Sequence, residues 1–107
     1  MYWKIFTDAN TKNKANRVLS RFISELDINT NSSKVEPYHK GGFICTFDSD
    51  ITFPSWQDNI FLALQLAQKV GRGWILTGDI NNEVDAWSND SSISGVTNIQ
   101  LQVSCNA

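Results

Sequence analysis

The pattern of apolar residues in this 107-residue chain predicts an α+β domain, with two helices packed on one face of an antiparallel sheet. Three observations carry the prediction. Two stretches, around residues 11–26 and 55–70, repeat apolar residues at three- and four-residue spacing. Several shorter stretches alternate apolar and polar side chains, as half-buried strands do. Glycine or asparagine pairs stand between neighbouring short stretches, where hairpins turn. The length allows one domain, residues 1–107, and a chain of this size buries roughly 60 to 70% of its unfolded surface, enough for a single core. A hydrophobic content of 41%, with four Trp and six Phe, can fill that core and excludes a disordered or collagen-like chain. No apolar run approaches the ~20 residues needed to cross a bilayer, and Met1-Tyr2-Trp3-Lys4 leads directly into a strand pattern. The expected location is the cytoplasm, with no membrane partner.

Tyr2 to Thr7 mixes aromatic and β-branched residues and is flanked by Asp8-Ala9-Asn10, which predicts a first strand. Apolar groups on both of its faces place it centrally. From Thr11, the residues Ala15, Val18, Leu19, Phe22, Ile23 and Leu26 form one helical stripe, with Lys14, Arg17, Arg21 and Glu25 opposite. Asp27 to Ser33 reads as a polar connection. Lys34 to His39 and Gly42 to Asp48 read as a hairpin turning at Lys40-Gly41-Gly42, with Phe43, Cys45 and Phe47 on one face. Ser55, three residues before Asp58, caps a second helix. Its stripe is Trp56, Ile60, Ala63, Leu64, Ala67 and Val70, widened by Phe61, Leu62 and Leu66, and Gly71 ends it. Trp74 to Ile80, Asn81-Asn82 and Glu83 to Ser88 read as another hairpin, since Asn tolerates a left-handed turn. Asn89 to Ser92 reads as a loop. Val96 to Val103 is a last strand with Gln100 and Gln102 on its wet face. The resulting order begins with β-α-β-β-α-β, the split β-α-β or ferredoxin-like arrangement, extended here by additional C-terminal strands.

A net charge of −2 conceals an uneven distribution. Residues 1–40 carry seven Lys or Arg against four Asp or Glu, and residues 41–107 carry two against seven. The acidic part is either a solvated surface or a face for a basic partner. No catalytic constellation is legible. His39 stands in a predicted turn without a nucleophile beside it, and P-loop, G-x-G-x-x-G, H-E-x-x-H and G-x-S-x-G motifs are missing. Asp48-x-Asp50 is half of a divalent-cation site and reads better as a polar strand end. Cys45 and Cys105 lack C-x-x-C spacing and read as reduced thiols. Lys40-Gly41-Gly42-Phe43-Ile44-Cys45-Thr46-Phe47 touches the pattern of an RNA-recognition motif, but Gly42 and Ile44 occupy the positions of its stacking rings, and the surrounding charge opposes phosphate. We therefore expect no nucleic-acid partner, enzymatic activity, cofactor or metal.

The remaining feature is acidic and aromatic: Asp79, Asn81, Asn82, Glu83, Asp85, Trp87 and Asp90. Strand alternation puts Glu83, Asp85 and Trp87 on one face and Val84 and Ala86 on the other. If Val84 and Ala86 point inward, Trp87 is exposed among carboxylates, as a hot spot for a basic protein surface would be. The other reading makes Trp87 a packing residue that closes the sheet.

Three segments carry a family resemblance: W-K-I-F-T-D-A-N at Trp3–Asn10, G-W-I-L-T-G-D-I-N-N-E-V-D-A-W-S at Gly73–Ser88, and I-S-G-V-T-N-I-Q-L at Ile93–Leu101. They resemble the small immunity proteins of bacterial contact-dependent growth inhibition and related polymorphic toxin systems. The likeness covers the two ends of the chain better than Asp27 to Asp50. It implies a protein that binds a cognate toxin C-terminal nuclease domain one to one as a monomer. One immunity protein of this kind protects against a ribonuclease-A-like toxin, and the resemblance so implies a basic, RNA-cleaving partner. Taken with the charge distribution, it makes Asp79, Glu83, Asp85 and Asp90 candidate charge contacts and Trp87 the candidate anchor, with Asp48 and Asp50 behind them. Two other classes remain open. One is a regulatory or adaptor domain, homodimeric through an edge strand, and the other is a metal-dependent enzyme built on Asp48 and Asp50.

Overall fold

A computed structural model of the protein describes residues 1–50 and 53–105. The chain forms β1 (Tyr2–Thr7), α1 (Lys12–Leu26), β2 (Thr30–Pro37), β3 (Phe43–Ser49), α2 (Trp56–Val70), β4 (Gly71–Arg72), β5 (Ile75–Thr77), β6 (Glu83–Ser88), β7 (Asp90–Ser91) and β8 (Val96–Ser104). Both helices begin where a hydroxyl can satisfy a free amide. Thr11 Oγ1 accepts from the Lys14 amide at 3.2 Å and Ser55 Oγ from the Asp58 amide at 3.5 Å. Asp58 in the first turn of α2 and Lys69 in its last complement the helix dipole. At the end of α1, Asp27 adopts a left-handed φ of 55° and its amide donates to the Ile23 carbonyl.

The six strands of the main sheet lie in the order β2-β3-β1-β8-β6-β5, each antiparallel to its neighbours. The helices cover one face. Trp3 and Ile5 of β1, Cys45 and Phe47 of β3, and Ile99, Leu101 and Val103 of β8 meet Val18, Phe22 and Leu26 of α1 and Ala63, Ala67 and Val70 of α2 in a single core. At its centre three rings interlock. The ring centroids of Phe22 lie 5.8 Å from Trp3 and 6.0 Å from Phe47, both edge-on. The Trp3 indole N–H, the polar tip of this cluster, donates to Ser49 Oγ at 3.2 Å. β1 is central, as its two-sided apolar content predicts, and the hairpin at Lys40-Gly41-Gly42 places both glycines at positive φ.

β2 starts at Thr30, inside the stretch read as a polar connection, and Asp90–Ser91, inside the stretch read as a loop, pair as β7; the structure departs from the sequence reading in four further places. First, the strands after α2 do not run on as an extension beyond the core. The last strand, β8, pairs with β1, while β5 lies at the outer edge beyond β6, and β4 pairs with β7 in a separate two-stranded sheet. β1 needs a partner along six residues, and β8 supplies nine, whereas β5 has three between Gly73 and Gly78, both at positive φ. Second, Phe61 and Leu64 of α2 are exposed, Leu64 lining an apolar depression of about 170 Å³ that α2 shares with Trp74, Leu76, Val84 and Ala86. Third, Asn81 and Asn82 do not adopt positive φ; in that hairpin Gly78 does. Fourth, Gly71 leaves α2 extended rather than left-handed, and what it supplies is room: a Cβ there would lie 3.2 Å from Ile99 Cδ1.

Candidate functional site

The face of the sheet opposite the helices is uncovered. Along β1 it presents Tyr2, Lys4 and Phe6; along β8, Asn98, Gln100 and Gln102; along β6, Glu83, Asp85 and Trp87. Register joins these side chains into rows. Asp85 faces Gln102, Gln102 faces Tyr2, and Tyr2 faces Asp48. One residue pair further, Ile75 faces Trp87, Trp87 faces Gln100, Gln100 faces Lys4, and Lys4 faces Thr46. With strands 4.7 to 4.9 Å apart, Asp85 stands about 10 Å from Tyr2 and about 14 Å from Asp48. Val84 and Ala86 point inward, and Trp87 is 38% exposed on the open face. The indole therefore does not close the core.

The structure separates the seven candidate residues. Glu83, Asp85 and Trp87 share the open face of β6, with Asp85 half-buried and Glu83 exposed. Among the described residues no Lys or Arg lies within ion-pair distance of Glu83 or Asp85; the ion pairs present are Lys34–Glu36 at 3.5 Å and Arg72–Asp90 at 3.7 Å. Asp48 lies on the same face, at its β3 side. Asp50 lies beyond the end of β3 and accepts from Asn31 Nδ2 at 3.4 Å. Both carboxylates favour the charge of the Met1 ammonium, which burial otherwise pushes below its ordinary pKa and which donates to the Ser49 carbonyl at 2.8 Å. Asp79 holds the β5–β6 turn, accepting from the Asn81 amide at 3.1 Å and from the Asn82 side chain at 2.9 Å. Asp90 has left the main sheet with β7 and pairs with Arg72 at the C-terminal end of α2. That corner is organised by buried Ser88, whose hydroxyl donates to the Arg72 carbonyl and accepts from the Asp90 amide.

Sequence reasoning missed Tyr2, Gln100 and Gln102 as members of the face. The alternation of Gln100 and Gln102 with Ile99 and Leu101 marked a wet strand face, but only strand order brings that face between Tyr2 and Trp87. The three strands enclose a depression of about 320 Å³ lined by Tyr2, Lys4, Asp85, Trp87, Gln100 and Gln102. A second depression, of about 560 Å³, lies further along the face against Phe6, Tyr38 and Asn98. There the Phe6 and Tyr38 rings meet edge-on at 5.3 Å and Lys4 Nζ lies 5.4 Å from the Phe6 centroid.

His39 is exposed in the β2–β3 turn, with its ring 4.7 Å from Tyr38. Among the described residues no three His, Cys, Asp or Glu side chains converge on a point where a metal ion could sit. No helix among them is long and apolar enough to cross a membrane. Cys45 is buried and Cys105 exposed, both as free thiols. The open face thus combines the rings of Tyr2, Phe6 and Trp87, the carboxylates of Asp48, Glu83 and Asp85, the amides of Asn98, Gln100 and Gln102, and the Lys4 ammonium. No protein family, curated protein or solved structure matches the chain.

Proposed function

We propose that this chain is an immunity-type inhibitor that binds and neutralises a toxin nuclease domain, a ribonuclease in the reading we favour, by masking its active site or an adjacent surface. One observation carries the proposal: Trp87 stands exposed beside Asp85 and Glu83 on an uncovered sheet face. A nuclease collects phosphates, so its cleft is basic, and a carboxylate-bearing face is steered toward it and is complementary to it on arrival. A rigid indole at the centre of such a contact is the kind of side chain whose truncation costs about 2 kcal/mol or more of binding. The open face needs only to cover, so its residues have no catalytic role. We read β1-α1-β2-β3-α2 with β8 as a ferredoxin-like unit, and residues 71–91 as an insertion that carries Trp87 to its edge.

The test is rescue. The C-terminal domain of a large protein encoded immediately upstream should arrest growth when expressed alone and be silenced when this chain is co-expressed. A neighbouring toxin that kills equally with and without it would overturn the assignment. A homodimeric adaptor is the second reading, drawn from β5, an edge strand with Ile75 and Leu76 exposed. It requires self-association in sedimentation equilibrium, where the inhibitor is a monomer.

A further inference from the structure

We infer that the depression between Tyr2 and Trp87 receives one arginine side chain of the partner, an inference that rests on the reading above. Its floor is β8, which offers the side-chain amides of Gln100 and Gln102, and its walls are Tyr2 on β1 and Asp85 and Trp87 on β6. Tyr2 and Trp87 stand two strand spacings apart, about 10 Å measured across the strands. That gap admits a flat cation bordered by rings.

Charge selects the ligand. Asp85 is half-buried and, among the described residues, no cationic side chain lies within ion-pair distance of it, so its carboxylate is left to be met from outside. Lys4 also lines the depression, but it stands in the row of Gln100 and Trp87 rather than that of Asp85, and its Nζ lies 5.4 Å from the Phe6 centroid. Shape then selects arginine over lysine. A guanidinium is planar, stacks on an indole, and carries five donors in a fork that can reach a carboxylate and amide oxygens together, whereas an ammonium is a strongly hydrated point charge. Trp87 gives the stacking face, Asp85 the charged acceptor, and Gln102, directly opposite Asp85, a second acceptor.

The experiment is an NMR titration of the ¹⁵N-labelled chain with N-acetyl-arginine amide and, separately, N-acetyl-lysine amide. Arginine should give saturable shifts at the Trp87 indole N–H, Asp85 and the Gln100 and Gln102 side-chain amides, at a concentration at least about threefold below that for lysine. Asp85→Asn should weaken arginine about tenfold, and Trp87→Leu should remove the preference over lysine, in proteins whose spectra otherwise match the unchanged chain. Equal responses to the two amides, shifts centred on Asp48 and Asp50, or an unchanged titration in Asp85→Asn would overturn the inference. The toxin domain separates the two readings. If it binds the unchanged chain and Asp85→Asn equally well, the arginine site is refuted and the inhibitor reading stands. If it binds neither, the inhibitor reading falls, and the amide titration still decides the site.

Discussion

Phe22 and Phe61 both lie on apolar stretches of helix, yet the structure assigns them opposite weights. Phe22 is 0% exposed and locked edge-on between Trp3 and Phe47, whereas Phe61 is 64% exposed on the outer flank of α2. Truncating a fully buried Phe to Ala costs about 3 to 5 kcal/mol, from lost transfer energy and from the cavity left behind. Phe22 belongs at the upper part of that range, near 4 to 5 kcal/mol, because two aromatic contacts, each worth about 0.5 to 1.5 kcal/mol, go with it and the opposing rings sit on two sheet strands that cannot close the gap. A domain of this length has about 5 to 15 kcal/mol in total, so Phe22→Ala should leave the fold marginal. Its thermal midpoint should drop by roughly 15 °C or more. Phe61→Ala should change stability by no more than about 0.5 kcal/mol. Urea unfolding followed by tryptophan fluorescence measures both, and the midpoint should move for Phe22→Ala with the slope unchanged. Comparable losses for the two variants would refute the placement of α2 on the sheet.

Other perturbations reach other parts of the molecule. Reversing Glu83 and Asp85 to Lys should weaken toxin binding, flatten its dependence on salt and leave the fold intact; affinity unchanged across salt concentrations would remove the acidic face from the contact. Burial pushes the Cys45 thiol up to about 11 from an ordinary 9.0. The folded state therefore holds this proton more tightly than the unfolded chain, so the stability it contributes is whole below pH 9 and is lost as pH rises toward 11, which unfolding curves across that window would register. For the same reason native protein should react with one equivalent of a thiol reagent, at exposed Cys105, and unfolded protein with two. Gly42→Ala should disrupt the β2–β3 hairpin, since its Cβ would lie 1.9 Å from the Thr7 carbonyl oxygen at a φ of +74°. Gly41→Ala, with nothing within 4 Å, should cost only the backbone strain of about 1 to 3 kcal/mol, and thermal melts should rank the two accordingly.

What was legible in the sequence is what local chemistry decides. Thr11 and Ser55 mark helix starts because a hydroxyl meets an amide three residues away, and Val84 and Ala86 turn inward because alternation on a strand has a period of two. What was not legible depends on partners distant in sequence. Nothing local to Val96–Ser104 says that it lies beside β1 rather than at an edge, and without that pairing Tyr2 and Trp87 cannot be placed around one depression. Asp79 and Asp90 look like Asp85 in the sequence, but local hydrogen bonding draws one into a turn and the two-stranded sheet draws the other to the end of α2. In α2 the apolar residues outnumber the positions the sheet can cover, so periodicity gave the direction of the buried stripe without its width. Asn59 shows the converse. It is buried because its side chain accepts from the Phe53 amide and donates to the Phe53 carbonyl, holding the entry to α2 by a bond that no apolar pattern signals.

The central position of the last strand sets when the open face can form. Ile5 and Ile99 are directly opposed on β1 and β8, so the middle of the sheet joins the first strand of the fold to the last. Until β8 has left the ribosome, β1 has one open edge and β6 lacks the neighbour that fixes it, which leaves Trp87 without a platform. Contacts this distant along the chain also slow folding once synthesis is finished. Assembly of the open face therefore meets a delay set by topology. For the inhibitor proposed above, that delay favours a standing pool made in advance.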